Sequence, residues 1–359
     1  SNASIQDQVG SEKNNEKLRG DSLVLTLDSR LQQAAYNALG AYKGAVVVME
    51  PSTGKILAMV SKPDFDPNDM ENQWEILNAD DSESPLLNRA TQGLYPPGST
   101  FKLITLLEYI RENPDTWQDF HYTCTGTYTN GDYVVNCHDG VAHGELDIYG
   151  ILGMSCNGAF DTIAQTLNST KWQKLAEDFG YNQSDRSQVD FAYKKSHFDI
   201  ASDDSVWSRM QLAIGQGTTT VTPLLNLMMY AAIANDGVMM TPYLVDHYLD
   251  ANGNVVEQTK PKALRSVCTK AEAELMDEFL TYVITNGTAA AGGSQYARVS
   301  GKTGSAQYDS TKNYHAWFCG YGTNDVSEIA VCVMIEKGGA GGIVAAPVAG
   351  QIFDYYFSR

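Results

Sequence analysis

At 359 residues, with 43% hydrophobic and 19% charged side chains, the chain has a globular composition and enough length to bury a sizeable core. Its 43 acidic against 25 basic residues leave a net charge of −18, which argues against nucleic acid or any other polyanionic partner, and no basic run overturns that. No stretch approaches the roughly 18 continuous apolar residues of a membrane span, and six cysteines are too few for a disulfide scaffold.

Ser1-Asn2-Ala3 has the look of a tag remnant, and residues 1–20 are polar enough to be linker or disordered chain. Residues 22–27 read as a short strand, and Asp28 as the N-cap of a helix through Leu31, Ala34, Ala35 and Leu39. Residues 44–49 and 56–60 are apolar, valine-rich runs joined by a Pro51 to Lys55 turn, which predicts a β-hairpin. Residues 62–68 break regular structure, and the next thirty residues or so read as irregular. Leu103, Leu106, Leu107 and Ile110 then recur at helical spacing, so a helix is expected from Ser99.

Residues 111–145, rich in Tyr, Thr, Gly and Cys, show no sustained period and read as a loop-rich insertion. Helical patterns follow at 146–154 and 158–167 with Ser155-Cys156-Asn157 between them, then a polar stretch to about Ser208. Gly215-Gln216-Gly217 shapes a turn ahead of Thr222-Pro223 and an apolar helix over 224–234. Thr269 and Glu272 form a capping box for a helix that stops at Gly287. Strand-like runs at 298–300, 316–321 and 329–335 precede a closing helix over 346–357. One domain, 21–359, is therefore expected, with a sheet assembled from 21–62 and 240–359 around a helical insertion of about 63–239.

Three short patterns carry chemistry. Ser99 and Lys102 stand three apart on one helix face, so the amine can take the hydroxyl proton if burial lowers its pKa. The pattern alone is weak, because Ser52 and Lys55 repeat it in what reads as the hairpin turn. In Ser155-Cys156-Asn157, an extended segment would point Ser155 and Asn157 into a cleft and Cys156 behind it. In Lys302-Thr303-Gly304-Ser305, after a strand-like run, Lys302 and Gly304 share one face with Thr303 on the other, and the glycine would admit a substrate backbone.

Ser-x-x-Lys, Ser-x-Asn and Lys-Thr-Gly in that order are the signature of the penicillin-interacting serine enzymes. From about Ser22 to its end the chain resembles the transpeptidase domain of a class B penicillin-binding protein. Tyr95-Pro96-Pro97-Gly98-Ser99, Asp66-Pro67-Asn68, Gly215-Gln216-Gly217, Asn286-Gly287-Thr288-Ala289 and His315-Ala316-Trp317-Phe318 carry the likeness further. The resemblance implies an α/β (α+β) fold, a five-stranded antiparallel sheet flanked by helices plus an all-α subdomain. It implies Ser99 as acylated nucleophile, Lys102 as general base, Ser155 as proton relay and Asn157 as holder of the substrate amide. Lys302 with Thr303 would bind the substrate carboxylate, and the backbone N–H groups of Ser99 and Ser305 would form the oxyanion hole.

The activity so implied is D,D-transpeptidation, cross-linking peptidoglycan stem peptides through an acyl-enzyme that β-lactams also form. The expected setting is the outer face of the bacterial cytoplasmic membrane, with an N-terminal anchor and a membrane glycosyltransferase and elongation or division proteins as partners. A D,D-carboxypeptidase, a serine β-lactamase and a penicilloyl sensor or divisome scaffold are the alternatives. The Glu-x-x-Leu-Asn with which class A β-lactamases position a hydrolytic water does not follow the Ser155 loop.

Catalysis so implied needs no cofactor, but Cys124, Cys137, His143 and Cys156 form a Cys-x12-Cys-x5-His-x12-Cys series. Three thiolates and an imidazole are a normal closed set for structural zinc, and some elongation-type penicillin-binding proteins are similar in carrying zinc here. Two readings stay open beside it: a Cys124–Cys137 disulfide with Cys156 as a small buried hydrophobe, and His121 or His138 in place of His143. Cys268, Cys319 and Cys332 read as core residues.

Overall fold

Strand β1 (Ser22–Leu25) leads into helix α1 (Ser29–Leu39) and the hairpin β2 (Gly44–Met49) and β3 (Ile56–Lys62). Helices α2 (Met70–Ala79), α3 (Arg89–Gln92) and α4 (Lys102–Glu112) come next, then strands β4 (His121–Cys124), β5 (Thr127–Asn130), β6 (Tyr133–Asn136) and β7 (Gly144–Asp147). Helices α5 (Ile148–Gly153), α6 (Asn157–Ala164), α7 (Ser169–Asp178), α8 (Val206–Ala213) and α9 (Pro223–Ala234) follow. Strands β8 (Val238–Met240), β9 (Val245–Leu249), β10 (Val255–Gln258) and β11 (Ala263–Ser266) precede helix α10 (Lys270–Asn286). Strands β12 (Arg298–Gln307), β13 (Tyr314–Thr323) and β14 (Glu328–Ile335) and helix α11 (Gly341–Phe357) complete the chain. This computed structural model describes residues 21–184, 188–311 and 313–359, so the linker expected at 1–20 lies outside the described residues.

The two ends of the chain meet in one antiparallel sheet of five strands, in the order β12-β13-β14-β2-β3. Every residue of β2 is buried, as an inner strand covered on both faces requires, whereas β3 at the edge alternates. Helix α9 packs across β2, β13 and β14, while α1 and α11 pack together on the sheet, against β3 and against β13 and β14. Only Ala234 of α9 escapes full burial, and the helix starts where Thr222 accepts from the Leu225 N–H with Pro223 in the first turn. Among the described residues no helix is long and apolar enough to cross a membrane.

Three segments depart from expectation. β1 stays out of the central sheet and pairs with β9 in a separate sheet, β1-β9-β10. The stretch read as irregular after Asn68 contains α2, which buries no side chain and so leaves no apolar period to detect. The insertion read as loop-rich folds into two ribbons, β4 with β7 and β5 with β6, whose four-residue strands are too short for a pattern.

Candidate active site

Leu103, Ile104, Leu106, Leu107 and Ile110 bury α4, and the chain enters that helix through a 3-10 turn, Gly98–Phe101, which carries Ser99. The helix expected from Ser99 therefore becomes α-helical only at Lys102. Gly98 has φ +56, and its N–H donates to the Gly215 carbonyl at 2.9 Å. A side chain at Gly215 would come within 2.2 Å of the Gly98 oxygen, so the glycine permits this close approach.

Three polar groups from two further elements, α9 and β13, moor the turn. Asn226 Nδ2 donates to Thr100 Oγ1 at 3.1 Å, the Tyr230 hydroxyl donates to the Thr100 carbonyl at 2.9 Å, and Trp317 Nε1 donates to the Pro96 carbonyl at 3.0 Å. Thr100 Oγ1 itself donates to the Pro97 carbonyl at 2.9 Å. Sequence reading missed Asn226 and Tyr230, although polar side chains on so apolar a helix were a signal.

Lys102 is fully buried. Its Nζ donates to the Ser155 carbonyl at 2.8 Å, to Asn157 Oδ1 at 2.7 Å and to Ser155 Oγ at 3.3 Å. Burial lowers its pKa to about 8. Lys302, also fully buried, donates to Ser155 Oγ at 2.9 Å and to the Thr303 carbonyl at 3.0 Å. Burial, then the neighbouring Lys102 charge, holds its pKa well below the usual lysine range. The Ser155 hydroxyl thus bridges the two amines. Ser99 lines the cleft, and among the described residues its Oγ has no hydrogen-bond partner, so the expected Ser99 to Lys102 contact is not made in the free protein.

Ser155-Cys156-Asn157 is not extended. Ser155 has φ +54, Cys156 is the N-cap of α6 and Asn157 its first residue. The side chains nevertheless divide as expected, with Ser155 and Asn157 on the lysines and Cys156 on Cys137. Asn157 Nδ2 donates to the Asn136 carbonyl at 2.8 Å, which ties the motif to β6.

On β12, Thr303 Oγ1 lies 3.0 Å from Thr288 Oγ1, and Ser305 Oγ accepts from the Gly341 N–H at 3.0 Å. The space beside Gly304 is taken by the Pro97 carbonyl and Thr100, each near 3 Å from a hypothetical side chain (3.0 and 3.3 Å). Its lack of a side chain thus admits the Ser99 turn, a different neighbour from the substrate backbone expected there. Ser99, Ser155, Asn157, Thr303, Gly304 and Ser305 all line one cleft of about 1280 Å³, roomier than the roughly 300–1,000 Å³ of a drug-sized pocket.

Behind the second motif, Cys124, Cys137, His143 and Cys156 converge, their ligand atoms within 4.8 Å of one another. Sγ to Sγ distances are 3.6 Å for Cys124–Cys137 and 3.8 Å for Cys137–Cys156, and His143 Nδ1 is 3.3 Å from Cys124 Sγ. A zinc-bound sulfur pair at roughly 2.3 Å per bond spans about 3.8 Å across a tetrahedron edge, whereas a disulfide is about 2.05 Å. The donor set and spacing therefore fit zinc, and the cysteines are free thiols. His121 and His138 stand apart and exposed, His138 against Tyr314. Cys268, Cys319 and Cys332 are buried core residues, and Lys55 of the decoy pattern is ion-paired with Asp246 at 3.3 Å.

The penicillin binding protein transpeptidase domain family matches residues 44–354. The chain belongs to the penicillin-binding protein transpeptidase family. It is a serine-type D,D-transpeptidase domain of class B. The peptidoglycan D,D-transpeptidase PbpA of Mycolicibacterium smegmatis is 31% identical over 355 residues, 92% of this chain and 71% of the relative. The D,D-transpeptidase domain of a peptidoglycan glycosyltransferase from Eggerthella lenta superposes with a TM-score of 0.85 at 32% identity, covering 96% of this transpeptidase and 85% of the other. Penicillin-binding protein A of M. tuberculosis, solved as a penicillin G acyl-enzyme, superposes with a TM-score of 0.84 at 26% identity over 97% of this chain and 83% of its own.

Proposed function

We propose that Ser99 is the acylated nucleophile of this transpeptidase and that Lys102 is its base. The observation that carries the assignment is the convergence of Lys102 and Lys302 on Ser155 Oγ, at 3.3 and 2.9 Å, inside the cleft that Ser99 lines. As an ammonium, Lys102 spends its three N–H bonds on Ser155 and Asn157. Once neutral it has two N–H bonds and a lone pair, which takes the Ser99 proton as Oγ bonds to the penultimate D-alanine carbonyl carbon.

The carbonyl electrons move to oxygen, where the N–H groups of Ser99 and Ser305 receive them. Collapse breaks the amide, and the departing D-alanine nitrogen takes its proton through Ser155. A second stem's amine then attacks the ester, forms the cross-link and returns a proton to Ser99. Lys302 and Thr303, with Thr288 beside it, take the donor carboxylate, whose entry favours a charged Lys302. Asn157 orients Lys102 through Oδ1 and holds the donor amide.

Zinc on Cys124, Cys137, His143 and Cys156 would supply structure and no chemistry, fixing the β6 end that receives Asn157. The whole protein would act at the outer face of the cytoplasmic membrane, held by an N-terminal anchor, with a membrane glycosyltransferase and elongation or division proteins as partners.

Intact-mass spectrometry with benzylpenicillin tests the assignment. A stoichiometric adduct that lasts for hours on the parent and is absent from Ser99→Ala is expected. An adduct that clears quickly would make the protein a β-lactamase, and an adduct retained by Ser99→Ala would remove Ser99 from its role.

A further inference from the structure

β12 is an edge strand of the central sheet, so the side away from β13 leaves backbone groups open to a partner. The N–H and C=O of one strand residue point to the same edge and those of the next to the other. The Tyr308 N–H donates across the hairpin to the Asn313 carbonyl at 3.1 Å, so Gln307, Ser305 and Thr303 address the other edge, away from β13. Two of the three are already engaged. The Thr303 carbonyl accepts from Lys302 Nζ at 3.0 Å. At Gln307 the Gln216 side chain takes both backbone groups, its amide nitrogen donating to the Gln307 carbonyl at 2.9 Å and its oxygen accepting from the Gln307 N–H at 3.1 Å.

Gln216 thus does with an amide what another strand would do with its backbone. It is held for that task from behind. Its own N–H donates to the Gln211 carbonyl at 2.8 Å, and the preceding Gly215 carbonyl accepts from Gly98 beside the nucleophile. Ser305, between the two engaged residues, keeps the open N–H and C=O of this edge.

We propose that Gln216 terminates the edge of β12, so that an acyl donor pairs with the sheet over one residue, opposite Ser305, and its preceding residues must turn away. This rests on Ser99 being acylated and on the donor carboxylate lying at Lys302 and Thr303. With the carboxylate there, the donor runs antiparallel to β12, its penultimate residue lies opposite Ser305, and its fourth residue from the C-terminus would meet Gln307. Gln216 occupies that place. The enzyme then reads the last residues of the donor and gains no strand pairing from a longer one.

The test measures kcat/KM for acylation by thioester donors that carry one, two or three residues ahead of the scissile bond, with penicillin adduct stoichiometry as the check on folding. In the parent the longest and shortest donors should differ by about twofold or less. In Gln216→Ala the ratio of long to short should rise about tenfold, as two recovered backbone hydrogen bonds would give. Gln216→Glu keeps the acceptor and loses the donor, so its ratio should fall between, and it carries the test should the alanine variant misfold.

An unchanged ratio in both variants would overturn the proposal. A ratio that falls would overturn it too, by making Gln216 a ligand of the donor. If neither thioesters nor penicillin acylate the parent, the failure belongs to the assignment of Ser99.

Discussion

Two buried amines on one hydroxyl cannot both stay charged cheaply, and Lys102 and Lys302 share Ser155 Oγ with no carboxylate among the described residues hydrogen-bonded to either. Burial is the first cause of the lowered pKa at each, and at Lys302 the Lys102 charge adds to it. For Lys102 the value of about 8 sets a direction for the chemistry. Below that pH the base is an ammonium with no lone pair, so acylation should slow about tenfold for each pH unit. Above it the rate should level off. Stopped-flow acylation with a fluorescent penicillin from pH 6 to 10 measures the limb, and Lys102→Arg, which cannot lose its proton in this range, should cost roughly 10²- to 10⁴-fold. A flat profile, or an arginine variant that acylates normally, would remove Lys102 as the base.

At the scale of elements, the ribbon β5–β6 links the cysteine cluster to the Ser155-Cys156-Asn157 motif through Asn136, whose carbonyl receives Asn157 Nδ2 at 2.8 Å. Metal loss should therefore be felt in the cleft. One zinc per chain is expected by elemental analysis, and Cys137→Ser or chelation should remove it, quicken amide exchange over residues 121–147 and slow acylation. A metal-free parent with slow exchange there would discard the zinc assignment.

This ribbon also marks the limit of the sequence. The β2–β3 hairpin and the capping box of α10 were legible because burial and hydrogen bonding there are written locally, in valine runs and in Thr269 with Glu272. The three short motifs were legible by their order along the chain. The four strands of the ribbons were not, since each is four residues long and partly exposed. Nor was the left-handed turn at Ser155, flanked by Met154 and Cys156, whose N–H groups donate to the Gly150 and Ile151 carbonyls. The Gln216 contact was hidden for another reason: it joins residues about ninety apart, and the Gly215-Gln216-Gly217 turn does not show what its glutamine reaches.

Across the whole molecule, the end of the central sheet is locked to the approach of the Ser99 turn by Glu336. Its Oε1 accepts from Arg89 Nε and from the Tyr95 hydroxyl, each at 2.8 Å, and Oε2 lies 3.5 Å from Lys43 Nζ. Arg89 is 1% exposed, so removing the carboxylate charge would strand a buried guanidinium. Burial opposes ionisation of Glu336, yet Tyr95 and Arg89 outweigh it and hold its pKa below the ordinary 4.5. A carboxyl depressed on folding contributes stability that is fully present above its unfolded pKa and is lost as pH falls through its folded one. Glu336→Gln should therefore cost about 3 kcal/mol at pH 7, a fall in Tm of roughly 4 °C for a chain of this length. The gap to the parent should narrow as the pH is taken from 5 toward 3.5. Calorimetry of the two proteins over that range measures it, and a gap that is absent at pH 7, or that stays constant down to pH 3.5, would mean that Glu336 does not join the sheet to the turn by its charge.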